Sequence, residues 1–226
     1  MSFAGFPREA LRFLRELGEN NTREWFHAHR DEYESLLLEP ARYFVVAMGE
    51  ELRGIGADVH ADPRVNGSIF RINRDTRFSK DKRPYKDHLD LWFWEGEGPS
   101  RLRPGYWFRL DPKQLILGAG KHHFEPELLE RFRDAVADDD RGEALRRAVD
   151  GVRAAGGEVG GEHYNGVPRG YDVPAEREGL MRHQGLYAYA QTPVPAETHT
   201  PAFPRFCAER WSALKPVQDW LVAEMA

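Results

Sequence analysis

The densest reactive chemistry in this sequence lies in one window. Between positions 71 and 86 stand Arg71, Arg74, Arg77, Lys80, Lys82, Arg83 and Lys86, opposed only by Asp75 and Asp81, although the whole chain carries a formal net charge of −5. Arg71, Arg74 and Arg77 recur at every third residue, and Lys80 and Arg83 continue the spacing. Arginine presents a planar fork of donors that matches a phosphate or carboxylate with two bonds, and lysine adds a mobile point charge. Two chemistries fit such a window. It is either an anion site or a framework of ion pairs in which Asp75, Asp81 and helix acids such as Glu24 or Asp31 neutralise the cations and lock a loop.

The remaining reactive residues form weaker patterns. Ser79-Lys80-Asp81-Lys82 fits the S-x-x-K nucleophile pattern, but its companion S-D-N and K-T-G elements are absent. His27 and His29 fall on nearly opposite helical faces, His122 and His123 diverge at a strand end, and there is no H-E-x-x-H, so no metal site is assigned. "LGAGKHH" lacks the spacing of a phosphate loop and reads as a strand end whose glycines let backbones approach closely. The rings of Trp92, Phe93, Trp94, Tyr106, Trp107 and Phe108 could stack bases beside the basic window, although strand alternation turns half of them inward. Cys207, the one cysteine, excludes an intrachain disulfide, suits a reducing compartment and reads as a buried structural thiol.

Composition narrows the classes. With 226 residues, 41% hydrophobic and 31% charged, the chain is an ordinary globular one. No apolar run approaches the roughly 20 residues that cross a bilayer, and "MSFAGFPREALRF" has no basic start leading into an apolar stretch. A cytoplasmic protein with no membrane association is expected. A pI of about 6.0 speaks against nucleic acid as partner.

The elements that must position these residues follow from periodicity. Pro7, Ala10, Leu11, Leu14 and Leu17 predict a helix ended by Gly18. Asn21, three residues before Glu24, opens a second helix carrying Trp25, Phe26, Tyr33, Leu36 and Leu37, and Pro40 starts or kinks a third that stops at Gly54. In the basic window Phe70 and Ile72 should face the core while Arg71 and Asn73 face out, with a loop beyond Thr76. Leu89, Leu91 and Phe93 alternate with Asp90 and Trp92. Strands are therefore expected at roughly 87–94, 105–110 and 114–119, the last two joined by a turn at Asp111-Pro112-Lys113. Helices are expected from Glu125-Pro126, over "DRGEALRRAVDGV" and from Pro204 to Ala226, the last kinked at Pro216. Helices at both ends with strands between them predict an α+β fold, a largely antiparallel sheet flanked by N-terminal and C-terminal helices. No linker splits residues 1–226, so one domain is expected.

Five blocks, "FLRELGENNTREWFHAHRDEY", "SIFRINRDTRFSKDKRPYKDH", "RPGYWFRL", "GVPRGYD" and "ALKPVQDWL", resemble in order the bacterial and fungal family of domain of unknown function 2461. The resemblance spans nearly the whole chain and implies an intracellular, single-domain α+β protein without an established activity. Its characteristic positions fall on Asn21, Arg23, Trp25, Phe26, Arg30, Arg71, Arg74, Asp75, Arg77, Phe78, Ser79, Asp81, Lys82, Pro84, Tyr85 and Lys86. The helix block and the loop block are both too polar for a core, so they are expected to face each other across one pocket. Arg23, Trp25, Arg30, Arg71, Arg74, Arg77, Ser79, Lys82, Tyr85 and Lys86 are the candidate ligand-binding residues, with Tyr106 as a further wall. Asp75 or Asp81 is the candidate base, if its neighbours tune it suitably. A small phosphorylated or carboxylated ligand is the expected partner, whether or not it is turned over. A nucleic-acid footprint and a purely structural ion-pair scaffold are the alternatives. No cofactor and no oligomeric state are assigned.

Overall fold

The structure, a computed structural model, describes residues 2–225. In chain order it comprises α1 (Arg8–Glu19), α2 (Arg23–Ala28), the short α3 (Arg30–Glu32), a π-helical stretch (Tyr33–Leu38), α4 (Glu39–Leu52), β1 (Val59–His60), β2 (Leu89–Glu95), β3 (Gly105–Leu110) and β4 (Gln114–Lys121). There follow α5 (Pro126–Ala137), α6 (Asp139–Ala154), β5 (Glu158–Glu162), α7 (Ala175–Met181), β6 (His183–Pro193) and α8 (Phe203–Met225). The strands form one six-stranded antiparallel sheet in the order β1-β2-β3-β4-β6-β5, flanked by helices, and the fold class is α+β.

The chain divides into two compact units. The first takes the residues up to Phe93, Trp107–Ile116 and Gln191–Ala208. Its core is aromatic: Phe44 of α4 meets Phe3, Phe6, Phe108 and Phe203 at ring separations of 5.1–5.6 Å. Such edge and tilted contacts add to what burial of the rings already contributes. The second unit takes Trp94–Tyr106, Leu117–Ala190 and the residues from Glu209 on. There Trp211 is fully buried, donates from Nε1 to the carbonyl of Gly118, and meets Tyr106 edge-on. Cys207 is buried, and burial pushes its thiol well above the ordinary range.

The local reading needs correction at several points. Helix α1 runs through Gly18 and closes at Asn20, whose backbone and side-chain N–H groups both bond the carbonyl of Glu16. Gly18 serves close approach instead, since a Cβ there would lie 3.3 Å from Cβ of Asp87. Thr22, not Asn21, caps α2 by accepting from the Trp25 amide. The second helix is broken at His29 and becomes π-helical over Tyr33–Leu38, immediately before α4 carries Pro40 in its first turn. Proline has no N–H to give to a helical ladder, and a wider turn beside it accommodates the loss. Phe70 is 45% exposed and lies under Lys86 Nζ, 4.8 Å from its ring centre. Ile72 is buried and Arg71 and Asn73 are exposed as expected, but Ile69 takes the inward place of Phe70, because the segment pairs only through isolated bridges at Ile69 and Asn73 and holds no continuous strand. Strand β5, with two glycines in five residues, and helix α7 carry too little periodicity to be read from sequence.

Candidate functional site

The neck of the basic loop is held by backbone pairing. Asn73 bridges Tyr85, the Arg74 amide donates to Pro84 at 2.8 Å, and the Lys86 amide donates to Ile72 at 2.8 Å. Asn21 then joins this neck to the start of α2. Its Nδ2 donates to the Tyr85 carbonyl, and its Oδ1 accepts from the Tyr85 amide, both at 3.0 Å. Freed from capping duty by Thr22, Asn21 behaves as one more strand residue beside Tyr85. Phe26 and Tyr85 stack at 4.2 Å and seal the junction.

Against this junction lies a cleft of about 530 Å³. Arg23, His27, Arg30, Glu34 and Tyr33 line it from the helical side, and Arg71, Asn73 and Tyr85 from the loop, with Phe26, Ile72, Leu38 and Val65 as its apolar surface. Arg30 is paired with Glu34 at 3.0 Å, an exposed one-turn pair. Arg23, His27 and Arg71 make no ion pair and no side-chain hydrogen bond among the described residues. The cleft therefore holds three guanidinium groups against one carboxylate. Burial raises the Tyr33 hydroxyl to about 12, so it stays a neutral donor or acceptor.

Among the described residues the other loop cations, Lys80 apart, are spoken for. Between residues 62 and 83 a D-x-R pattern occurs three times, at Asp62-Arg64, Asp75-Arg77 and Asp81-Arg83, and these three fold in the same way. The aspartate accepts the backbone N–H two residues on while the arginine side chain curls back onto the same carboxylate. Arg74 also reaches Asp81 at 2.8 Å, and Arg83 reaches Asp87 at 3.4 Å. From Asp87 the chain of charges continues through His88, whose ring nitrogens face Asp87 at 3.0 Å and Asp90 at 3.2 Å. Asp90 ends it, buried, with Lys86 at 3.2 Å and Arg109 at 2.7 Å. Burial alone would raise the Asp90 pKa. Hydrogen bonds from His88 and Arg109 outweigh it and hold the carboxyl well below the usual range.

Of the expected ligand-binding residues, Arg23, Arg30, Arg71 and Tyr85 line the cleft together. Arg74 and Arg77 line a neighbouring depression of about 430 Å³ that shares Arg71 and Asn73 with it. Trp25 stacks on His29 at 4.0 Å instead. Ser79, Lys82 and Lys86 line neither; Lys82 Nζ donates to the Thr76 carbonyl, and Lys86 is committed to Asp90. Tyr106 lies fully buried against Trp211 and is no wall of the cleft. The two candidate bases are tuned in the wrong direction. The Arg77 side chain and amide hold Asp75 down to about 2, and Arg83 with Arg74 holds Asp81 lower still. Carboxylates so depressed are ionised clamps and poor proton acceptors near neutral pH. His27 and Asn73 were missed. Arg23, His27 and Arg30 are spaced i, i+4, i+7, one helical face, and that signal was available.

Among the described residues, no group of three or more His, Cys, Asp or Glu side chains is arranged to hold a metal ion, and no helix is long and apolar enough to cross a membrane. A family model described as a conserved hypothetical protein, DUF2461, matches residues 9–220. The chain belongs to the DUF2461 family. Both walls of the cleft and the whole D-x-R loop fall inside the matched span of this DUF2461 protein. Comparison with curated proteins gives no match.

Proposed function

We propose that this DUF2461 protein binds a small phosphorylated or carboxylated ligand in the cleft beside α2, with Arg23, Arg30 and Arg71 holding the anion. The observation that carries the reading is that Arg23 and Arg71, which make no ion pair and no side-chain hydrogen bond among the described residues, line one concave, partly apolar cavity. Convergent polar groups on an apolar surface are the usual make-up of a small-molecule site. A cytoplasmic setting fits the lone buried thiol, and the acidic whole-chain balance weighs against nucleic acid. The structural-scaffold reading keeps a share of the loop: Arg74, Arg77, Arg83 and Lys86 are bound to carboxylates and act as architecture.

The test is calorimetric titration with inorganic phosphate and with malonate, alongside denaturant midpoints. Arg71→Ala is expected to unfold at the wild-type midpoint and to lose about tenfold or more in affinity, since a hydrogen bond to a charged group contributes about 1.5–3 kcal/mol. Arg77→Ala is expected to leave the affinity unchanged and to lower the midpoint only slightly, its pair with Asp75 being exposed. Wild-type protein that binds neither anion, or Arg71→Ala that binds as wild type does, would overturn the proposal.

A further inference from the structure

The cleft is more particular than a generic anion site, and its lining narrows the ligand. We infer that it takes a phosphomonoester with an apolar, ring-bearing body, an inference that rests on the anion-binding reading above. Three features lead there.

The first is charge. Arg23, Arg30 and Arg71 against Glu34 leave a surplus of two positive charges in the lining, counting histidine as neutral. A phosphate monoester carries about −1.5 to −2 at neutral pH and three acceptor oxygens. A single carboxylate leaves one guanidinium unanswered, and a polyphosphate exceeds the cations available.

The second is the floor. Phe26, Ile72 and Tyr85 are each below 10% exposed, and Leu38 and Val65 are only half-buried beside them. Inorganic phosphate covers none of the apolar surface that Leu38 and Val65 leave open, whereas an aryl group removes it from water and packs beside the lining rings of Phe26, Tyr33 and Tyr85. The volume, about 530 Å³, is in the range of roughly 300–1,000 Å³ found for organic ligands.

The third is what the lining lacks. Its neutral polar side chains are few, Asn73, the His27 ring and the hydroxyls of Tyr33 and Tyr85, and Glu34, its one carboxylate, already serves Arg30. A sugar phosphate brings several hydroxyls that need such partners, and each hydroxyl buried without one costs free energy. The body that fits is apolar.

The experiment is titration of the intact protein with four probes: phenyl phosphate, inorganic phosphate, glycerol phosphate and benzoate. Phenyl phosphate is expected to bind at least about tenfold more tightly than each of the other three, the burial of one ring being ample for such a ratio. Val65→Thr, close to valine in shape, is expected to weaken phenyl phosphate several-fold and leave inorganic phosphate within about twofold, with an unchanged denaturant midpoint. Equal affinities for phenyl and inorganic phosphate, both lost in Arg71→Ala, would overturn this inference and leave the anion site standing. Benzoate binding as tightly as phenyl phosphate would overturn the phosphate assignment, and glycerol phosphate doing so would overturn the apolar body. Silence from all four probes would sink both readings together.

Discussion

Replacing Asp90 by asparagine removes one negative charge from the most buried point of the ion-pair chain. The carboxylate accepts from Arg109 Nε at 2.7 Å and Nη2 at 3.1 Å, and lies 3.2 Å from both Lys86 Nζ and His88 Nε2. Its own side chain is 7% exposed, but those of Lys86 and Arg109 are 19% and 33% exposed, so the stranded cations regain part of their hydration. Removing one partner of a buried ion pair costs about 3–5 kcal/mol, and partial rehydration places this case near the lower end, about 3 kcal/mol. For a chain of this size that corresponds to a fall in melting temperature of roughly 6–12 °C. Urea titration of Asp90→Asn beside wild type measures the loss directly. The pH dependence has a definite sign, because the folded carboxyl titrates below the unfolded one. Its stabilisation is full at about pH 5, above the unfolded aspartate value near 3.9, and drains away as pH falls toward the lower folded value. The gap between wild type and variant should therefore close on acidification, with the wild type falling toward the variant. A loss under about 1 kcal/mol at pH 5–6, or a gap that widens in acid, would refute the account of Asp90 as the charge that holds this cluster.

Asn21→Ala removes both bonds to the Tyr85 backbone and leaves a part-buried N–H and carbonyl without partners. Unsatisfied groups of this kind cost about 1–3 kcal/mol each, so a fall in denaturant midpoint is expected together with loss of phosphate binding. An Asn21→Ala protein with wild-type stability and affinity would show that the neck does not organise the cleft. At Gly120, where φ is +132° and an added Cβ would lie 2.4 Å from the Leu186 carbonyl oxygen, alanine is expected to destabilise strongly. The cause is both the disfavoured backbone and the clash, and a midpoint within error of wild type would contradict it.

The hairpin of β3 and β4 was legible because its alternation and its Asp111-Pro112 turn act over neighbouring residues. The Asp111 carboxylate takes the amides of Lys113 and Gln114 just as a turn residue should. The close approach at "LGAGKHH" was legible for the same reason, the glycines themselves being the signal. Asp90 was not. Alternation sends a polar residue between Leu89 and Leu91 to solvent, and its partner Arg109 lies across a connection whose register the sequence leaves open. The surplus of loop cations was visible, but its division into paired and unpaired members was hidden, although the D-x-R repeat foreshadowed half of it. What no local pattern foretells is which of Arg71 and Arg74, three residues apart, finds a carboxylate, since that depends on where the neck turns the chain.

The first compact unit joins the early part of the chain to the late segment Gln191–Ala208, which bears on how it is made. His199 Nδ1 donates to the carbonyl of Phe6 across 193 positions, and the Phe6 amide donates to Thr198. On a ribosome adding about 5–20 residues each second, Phe6 waits on the order of 10–40 s for its partner to be synthesised. During that interval Phe3, Phe6 and Phe44 have one another but lack Phe203, the ring that closes their cluster. A nascent chain arrested before residue 198 thus displays an open aromatic face. Apolar surface exposed in this way is prone to aggregate, and the time for which it stays open is set by the speed of translation.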